Sequence, residues 1–140
     1  MDFDLQKYLF GNDTRQLVYK SLDANATRNR AISQNIANVM TPDYKRKEVN
    51  FEDQIREAMD KKVAGVTDQD GQIPINRGMD LSKIKPEVYE PNDPTKPGEV
   101  NNVDIDIENA KMAENQIQYE FNIRFASFER YFAAIKGSST

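Results

Sequence analysis

The fold is decided by the C-terminal stretch VDIDIENAKMAENQIQYEFNIRFASFERYFAAIK, residues 103–136. Eighteen of these 34 residues are hydrophobic, against 38% of the whole chain. Apolar residues recur at alternating steps of three and four, the spacing of a helix face. The pattern predicts a helix about 48 Å long, at about 1.5 Å per residue. Asp104, Asp106 and Glu108 at its start favour this prediction, because negative charge stabilises a helix N-terminus.

This predicted helix carries two apolar faces. The first face includes Ile117, Phe121 and Phe128. The second includes Met112, Tyr119, Ile123 and Ala126. A single antiparallel partner helix covers only one face. We therefore predict that the first face pairs within the chain and that the second docks onto neighbouring subunits.

A second long helix is predicted from Thr14 to Val39, where Thr41-Pro42 disfavours further helix. Its heptad seam consists of Val18, Leu22, Asn25, Asn29, Ile32, Ile36 and Val39. The apolar members of this seam are predicted to meet the first face of the C-terminal helix. The two asparagines have two interpretations: they fix register from within the seam, or they face solvent because the seam shifts toward the neighbouring alanines.

The middle of the chain, residues 63–102, has a different composition. Five of the six prolines and four of the six glycines lie there. A short third helix is predicted to start just before it, with Asn50 as its cap. The pieces Ile73–Ile75 and Glu87–Tyr89 are β-prone and predict at most one small hairpin. A plain disordered linker is the alternative interpretation.

Together these patterns predict a mainly α fold in a single elongated domain. Its parts are an N-terminal helical part (1–62), an extended Pro/Gly-rich loop (63–102) and a C-terminal helix (103–140). The two long terminal helices are expected to pair as an antiparallel coiled coil. Because each presents more apolar surface than one partner covers, the chain is expected to complete its burial in an assembly.

Composition excludes many functions. The chain has 140 residues with no His, no Cys and no Trp, so it lacks an imidazole base, a thiolate nucleophile and a cysteine zinc site. We expect no catalytic, cofactor or metal site. The net charge of −4 argues against nucleic-acid binding. No apolar run is long enough to span a membrane, and the acidic start Met1-Asp2-Phe3-Asp4 does not resemble a cleaved signal peptide.

The run from Ala31 to Arg46 resembles the N-terminal signature of flagellar basal-body rod and hook proteins. The matching positions are Ser33, Asn35, Ile36, Ala37, Asn38, Thr41, Pro42, Tyr44 and Lys45. Asp43 stands where that family usually has Gly, so a positive φ is expected there. Residues 49–53, 101–106 and 113–119 are similar to the proximal-rod type within this family.

The resemblance implies a structural protein without enzymatic activity. The resemblance implies that members of the family leave the cytoplasm through the flagellar type III export channel without a cleaved signal. They polymerise in the periplasm with copies of themselves and other rod and basal-body proteins, and the rod connects motor to hook. Another flagellar axial subunit and a non-flagellar coiled-coil adaptor are the alternatives.

Overall fold

The computed structural model describes residues 12–63, 81–95 and 98–137. This part of the chain is mainly helical, as predicted. In order, the elements are α1 (Asn12–Ala37), β1 (Glu48–Asn50), α2 (Glu52–Val63), a 3₁₀ turn (Leu81–Lys83), β2 (Glu87–Tyr89) and α3 (Ile105–Gly137). The two longest helices are α1, with 26 residues, and α3, with 33.

The helices α1 and α3 pack against each other along their lengths. Hydrogen bonds and ion pairs join Arg15 to Glu129, Asn25 to Asn115 and Asn35 to Glu108. Because residue numbers rise along α1 while those of its contacts fall along α3, the pair is antiparallel. The prediction of two long, packed terminal helices is confirmed.

A tight turn follows α1, which ends two residues earlier than predicted. The backbone N–H of Thr41 donates to the carbonyl of Asn38 at 2.9 Å, and Tyr44 N–H donates to Thr41 at 3.4 Å. Asp43 has a φ of 58°, the left-handed conformation that Gly adopts most easily. This confirms the expectation drawn from the Gly of the family signature.

The small sheet pairs β1 with β2 in antiparallel fashion, with Val49 opposite Val88. The β-prone piece Glu87–Tyr89 is therefore a strand, but its partner is Glu48–Asn50. The prediction that Asn50 caps the third helix was wrong, because Asn50 lies in β1 and Phe51 precedes the helix. The piece Ile73–Ile75 lies outside the described residues.

A small hydrophobic core lies where α1, α2 and the 3₁₀ turn meet. Its buried members are Ala24, Phe51, Leu81 and Ile84. Leu17, Ile55 and Ala58 pack against it. Lys20 reaches the same place and donates to the carbonyl of Ile84 at 2.7 Å. The middle of the chain thus supplies two buried aliphatic side chains, which its Pro/Gly-rich composition did not indicate.

Candidate assembly surface and the polar clasp behind it

The signature segment after Ala31 meets α3 at a buried group that we call the polar clasp. Its members are Asn35, Tyr44, Lys47 and Glu108. The Asn35 side chain is completely buried. Its Nδ2 donates to Glu108 Oε2 at 2.9 Å and to the Lys47 carbonyl at 2.8 Å. Its Oδ1 accepts from the Lys47 N–H at 2.9 Å and from the Tyr44 hydroxyl at 3.1 Å. An amide side chain offers two donor and two acceptor positions, and all four are used.

A second buried asparagine closes the end of α1. Asn101, in the segment before α3, donates from Nδ2 to the carbonyls of Asn38, Val39 and Thr41 at 2.9–3.0 Å. Its Oδ1 accepts from the Val103 N–H at 2.8 Å. These three carbonyls belong to the turn that follows α1, so Asn101 holds this turn in place through its backbone acceptors. Through Asn101, the segment 101–106 is hydrogen-bonded to the signature segment at the end of α1.

Charged side chains surround the one buried carboxylate of the clasp. Glu108 is 1% exposed, and its Oε1 lies 3.7 Å from Arg46 Nη1 and 3.9 Å from Lys111 Nζ. Both cations also bind Glu48, at 2.6 Å and 2.5 Å. Asn102 Oδ1 accepts from the backbone N–H of Arg46 at 2.8 Å. A buried carboxylate is tolerated because compensating charges lie this close.

The pKa values of these groups follow from their surroundings. Burial acts to raise the pKa of Glu48, but hydrogen bonds from Lys111 and Tyr89 outweigh it and hold the pKa below its ordinary value. Burial raises the pKa of Tyr44, and the nearby charge of Glu108 raises it further. At neutral pH Glu48 is therefore ionised and the Tyr44 hydroxyl remains a hydrogen-bond donor.

Acid should destabilise the fold through Glu48 and Glu52. The pKa of Glu52 is also lowered, because a hydrogen bond from Arg28 outweighs burial. Groups with a lowered pKa stabilise the fold above the ordinary value of 4.5, and this stabilisation is lost as the pH falls through the lowered pKa. We expect a smaller free energy of unfolding in urea at about pH 3 than at about pH 7.

The variant Glu48→Gln tests whether the Glu48 carboxylate causes this pH dependence of the unfolding free energy. It should narrow the difference in unfolding free energy between the two pH values. The matched control, Asp53→Asn, changes an exposed carboxylate that contacts only Arg56 at 3.5 Å among the described residues, and should leave the difference unchanged. An unaltered difference in Glu48→Gln would contradict the assignment.

The structure places the other signature residues around the turn after α1. Asn38 and Ile36 are partly buried, and Asn38 Nδ2 donates to the Gln34 carbonyl at 2.8 Å. The remaining positions are exposed: Ser33, Ala37, Thr41, Pro42 and Lys45. The turn signature therefore combines two residues of the clasp, Asn35 and Tyr44, with an exposed rim.

The predicted seam of α1 faces α3 only in part. Ile32 is 3% exposed, and Val18, Leu22, Ile36 and Val39 are partly buried. The two seam asparagines divide between the two interpretations: Asn25 is buried and its carbonyl accepts from Asn115 Nδ2 at 3.0 Å, whereas Asn29 is exposed.

On α3 the predicted faces are arranged differently from expectation. Ile117, Phe121 and Phe128 were expected to pair with α1, but they are 70%, 67% and 52% exposed. Of the face expected to meet other subunits, Ala126 is 5% exposed and Met112 is partly buried, while Tyr119 and Ile123 are 42% and 39% exposed. Within the single chain the first face points away from α1.

The reason is that α3 meets α1 through polar and small side chains. Among the described side chains of α3, the buried ones are Glu108, Asn115, Ala126 and Glu129. Nine residues correspond to about 2.5 helical turns, so Ile117 lies on the opposite side from both Glu108 and Ala126. Hydrophobic periodicity located the apolar face of α3 correctly. It could not indicate that the face buried against α1 within the chain is a polar one. The spacing of Glu108 and Asn115, seven residues apart, was the available signal.

The exposed face forms a continuous band that we call the outward stripe. Its members are Ile107, Ala110, Glu114, Ile117, Phe121, Arg124, Phe128, Tyr131 and Ile135, all of them exposed. Large exposed apolar patches on soluble proteins mark interaction surfaces. The stripe is therefore the candidate functional surface, and the clasp holds α3 in the orientation that presents it.

A cleft of about 380 Å³ lies between α1, β1 and α3. Four of the charged groups that line it bind one another: Arg28 holds both carboxylate oxygens of Glu52 at 2.6 and 2.7 Å, and Lys111 holds Glu48. In the described part of the chain no three acidic side chains are grouped to hold a metal ion. No described helix combines the length and apolar character needed to cross a membrane.

Comparison with known proteins places these features in a family. The chain is 31% identical over 105 residues to the flagellar basal body rod protein FlgB of Borreliella burgdorferi, covering 72% of this chain and 78% of that protein. It is 30% identical to FlgB of Borrelia hermsii over 132 residues, covering 86% and 93%. It is 30% identical to FlgB of Bacillus subtilis over 109 residues, covering 76% and 79%. No protein-family model matches the chain. On these similarities, the chain belongs to the FlgB family of flagellar basal body rod proteins.

Proposed function

We propose that this protein is a structural subunit of the flagellar basal-body rod. It polymerises through helix packing with copies of itself and with other rod and basal-body proteins. The polymer transmits torque from the motor to the hook. FlgB family membership and the outward stripe of α3 support this proposal.

The outward stripe is the observation that carries the proposal. Ile117 and Phe121 are 70% and 67% exposed in the middle of a 33-residue helix. Burying apolar surface contributes about 25 cal/mol per Å², so covering this stripe strongly favours assembly. Ile117, Phe121 and Phe128 are the proposed subunit contacts. Tyr119 and Ile123 lie about 160° around the helix from Ile117 and Phe121 and form a second exposed surface.

The polar clasp supplies the stiffness that a rod subunit needs. Asn35 and Glu108 join the C-terminal part of α1 to the first turns of α3. Asn101 joins the turn after α1 to the start of α3. All four hydrogen-bonding positions of the Asn35 side chain are used, and such a buried network favours one arrangement of the helices. Load applied to one helix is therefore passed to the other without rearrangement.

The remaining parts of the proposal concern location and chemistry. The subunit leaves the cytoplasm through the flagellar type III export apparatus, without a cleaved signal, and assembles in the periplasmic space. It works as a single elongated unit, without a cofactor and without catalysis. The cleft beside α1 agrees with a structural role, because Arg28 and Lys111 are engaged by Glu52 and Glu48.

Complementation of a strain that lacks the gene tests the proposal. We expect the deletion strain to be non-motile, and the wild-type gene supplied in trans to restore swimming. A tagged protein should co-purify with intact basal bodies from the complemented strain. A deletion strain that swims normally would refute a role as a rod subunit.

A further inference from the structure

The outward stripe of α3 has an ordered charge pattern. In its central part, from Ala110 to Phe128, the only charged members are Glu114 and Arg124. Arg124 has no ion-pair partner among the described residues. Among the described residues, the one hydrogen bond to the Glu114 carboxylate comes from Gln118 Nε2, at 3.5 Å. An arginine in the centre of an apolar surface needs an acceptor when that surface is covered.

The stripe is symmetric about the position of residue 119. Ile117 and Phe121 lie two residues to either side of this position. Glu114 and Arg124 lie five residues to either side, and Ala110 and Phe128 lie nine residues to either side. Two such stripes packed antiparallel would bring Ile117 against Phe121, Glu114 against Arg124 and Ala110 against Phe128. Each contact would occur twice, as in any interface with twofold symmetry. Opposite charges would then face each other and a small side chain would face a large one.

Parallel packing in the same register gives the opposite result. Glu114 would face Glu114 and Arg124 would face Arg124, and like charges across an interface disfavour it. The charge order therefore selects the antiparallel arrangement, while the apolar members supply most of the attraction.

We propose that the free protein forms an antiparallel homodimer in which the outward stripe of one copy binds the outward stripe of a second copy. Covering Ile117 and Phe121 removes apolar surface that water would otherwise contact. The dimer itself does not depend on the rod assignment. If the rod function holds, the dimer occupies the surface that assembly requires, so it is a storage form that separates before the subunit is incorporated.

Charge exchange between Glu114 and Arg124 tests the dimer with the purified full-length chain. By sedimentation equilibrium, wild type should dimerise. Arg124→Glu and Glu114→Arg should each raise the dimer dissociation constant by about tenfold or more, because each places like charges opposite each other twice. The double variant restores both opposite-charge contacts and should return to within about threefold of wild type.

The matched control is Arg130→Glu, which makes the same charge change on the same helix outside the stripe. It should alter the dissociation constant by less than about threefold. Circular dichroism checks that each variant keeps its helices. A monomeric wild type, or a double variant no tighter than the single ones, would overturn the proposal.

Disulfide trapping tests the orientation separately, since the chain contains no cysteine. In an equimolar mixture of Ile117→Cys and Phe121→Cys chains, the antiparallel dimer should give mostly the mixed disulfide. Predominant Ile117→Cys homodimers would indicate parallel packing in register and overturn the proposal. A monomeric protein that still restores swimming would refute the dimer and leave the rod function standing. A protein that dimerises as proposed but fails to restore swimming would refute the rod function and leave the dimer standing.

Discussion

Replacing Phe121 by Asp should abolish swimming while the subunit remains folded. Phe121 is 67% exposed and lies on the side of α3 that faces away from α1, so the change removes no contact with α1. In an assembled rod the new carboxylate would be buried without a partner, at a cost of several kcal/mol in each subunit. The expected result is a non-motile complemented strain, with the protein exported but absent from purified basal bodies.

Gln116→Asp is the matched control for Phe121→Asp. It introduces the same side chain at an exposed position of the same helix, outside the outward stripe. The control strain should swim, and both variants should have similar helix content by circular dichroism. Normal swimming of the Phe121→Asp strain would show that the stripe is not a contact surface in the rod.

Replacing Asn35 by Ala should destabilise the subunit by about 3–5 kcal/mol. The change removes four hydrogen bonds at a completely buried position. It also leaves Glu108 Oε2 and both backbone groups of Lys47 without their partner, and unpaired buried groups cost more than a hydrogen bond contributes. Urea unfolding followed by circular dichroism measures the effect.

Two further variants test whether the loss of stability in Asn35→Ala comes from the polar clasp. Asn29→Ala makes the same change at an exposed position of α1 and should alter stability by less than about 0.5 kcal/mol. Glu108→Gln should cost less in the Asn35→Ala background than in wild type, because the two side chains form one network. Equal losses from Asn35→Ala and Asn29→Ala would contradict the role given to the clasp.

The sequence predicted the long helices because their signal is local. The three-and-four spacing around Ile117 and Phe121 identifies a helix without reference to any other segment. The proline after Thr41 fixes the end of α1 to within two residues. The left-handed Asp43 was predictable as well, because the related signature has Gly at this position.

The parts that depend on distant contacts could not be predicted. The partner of Glu87–Tyr89 is Glu48–Asn50, which lies far away in the chain and has no turn signal to indicate the pairing. Leu81 and Ile84 complete the core through contacts with α1 and α2. Periodicity also does not reveal which face of α3 is covered within the chain. Asn35 was noticed only as part of a signature, and its four hydrogen bonds appear only when β1 and α3 are in place.

The polar character of the contact between α1 and α3 makes the fold and the assembly respond differently to temperature. This contact contains Asn25, Asn115 and Glu108 with the small side chain of Ala126, and Ile32 adds a large apolar one. Separating the two helices therefore exposes less apolar surface, and changes the heat capacity less, than separating an all-apolar contact would. The subunit contacts proposed for Ile117 and Phe121 would be apolar, and apolar association weakens on cooling. We therefore expect cooling to loosen the contacts between subunits before it loosens the pairing of helices within each subunit.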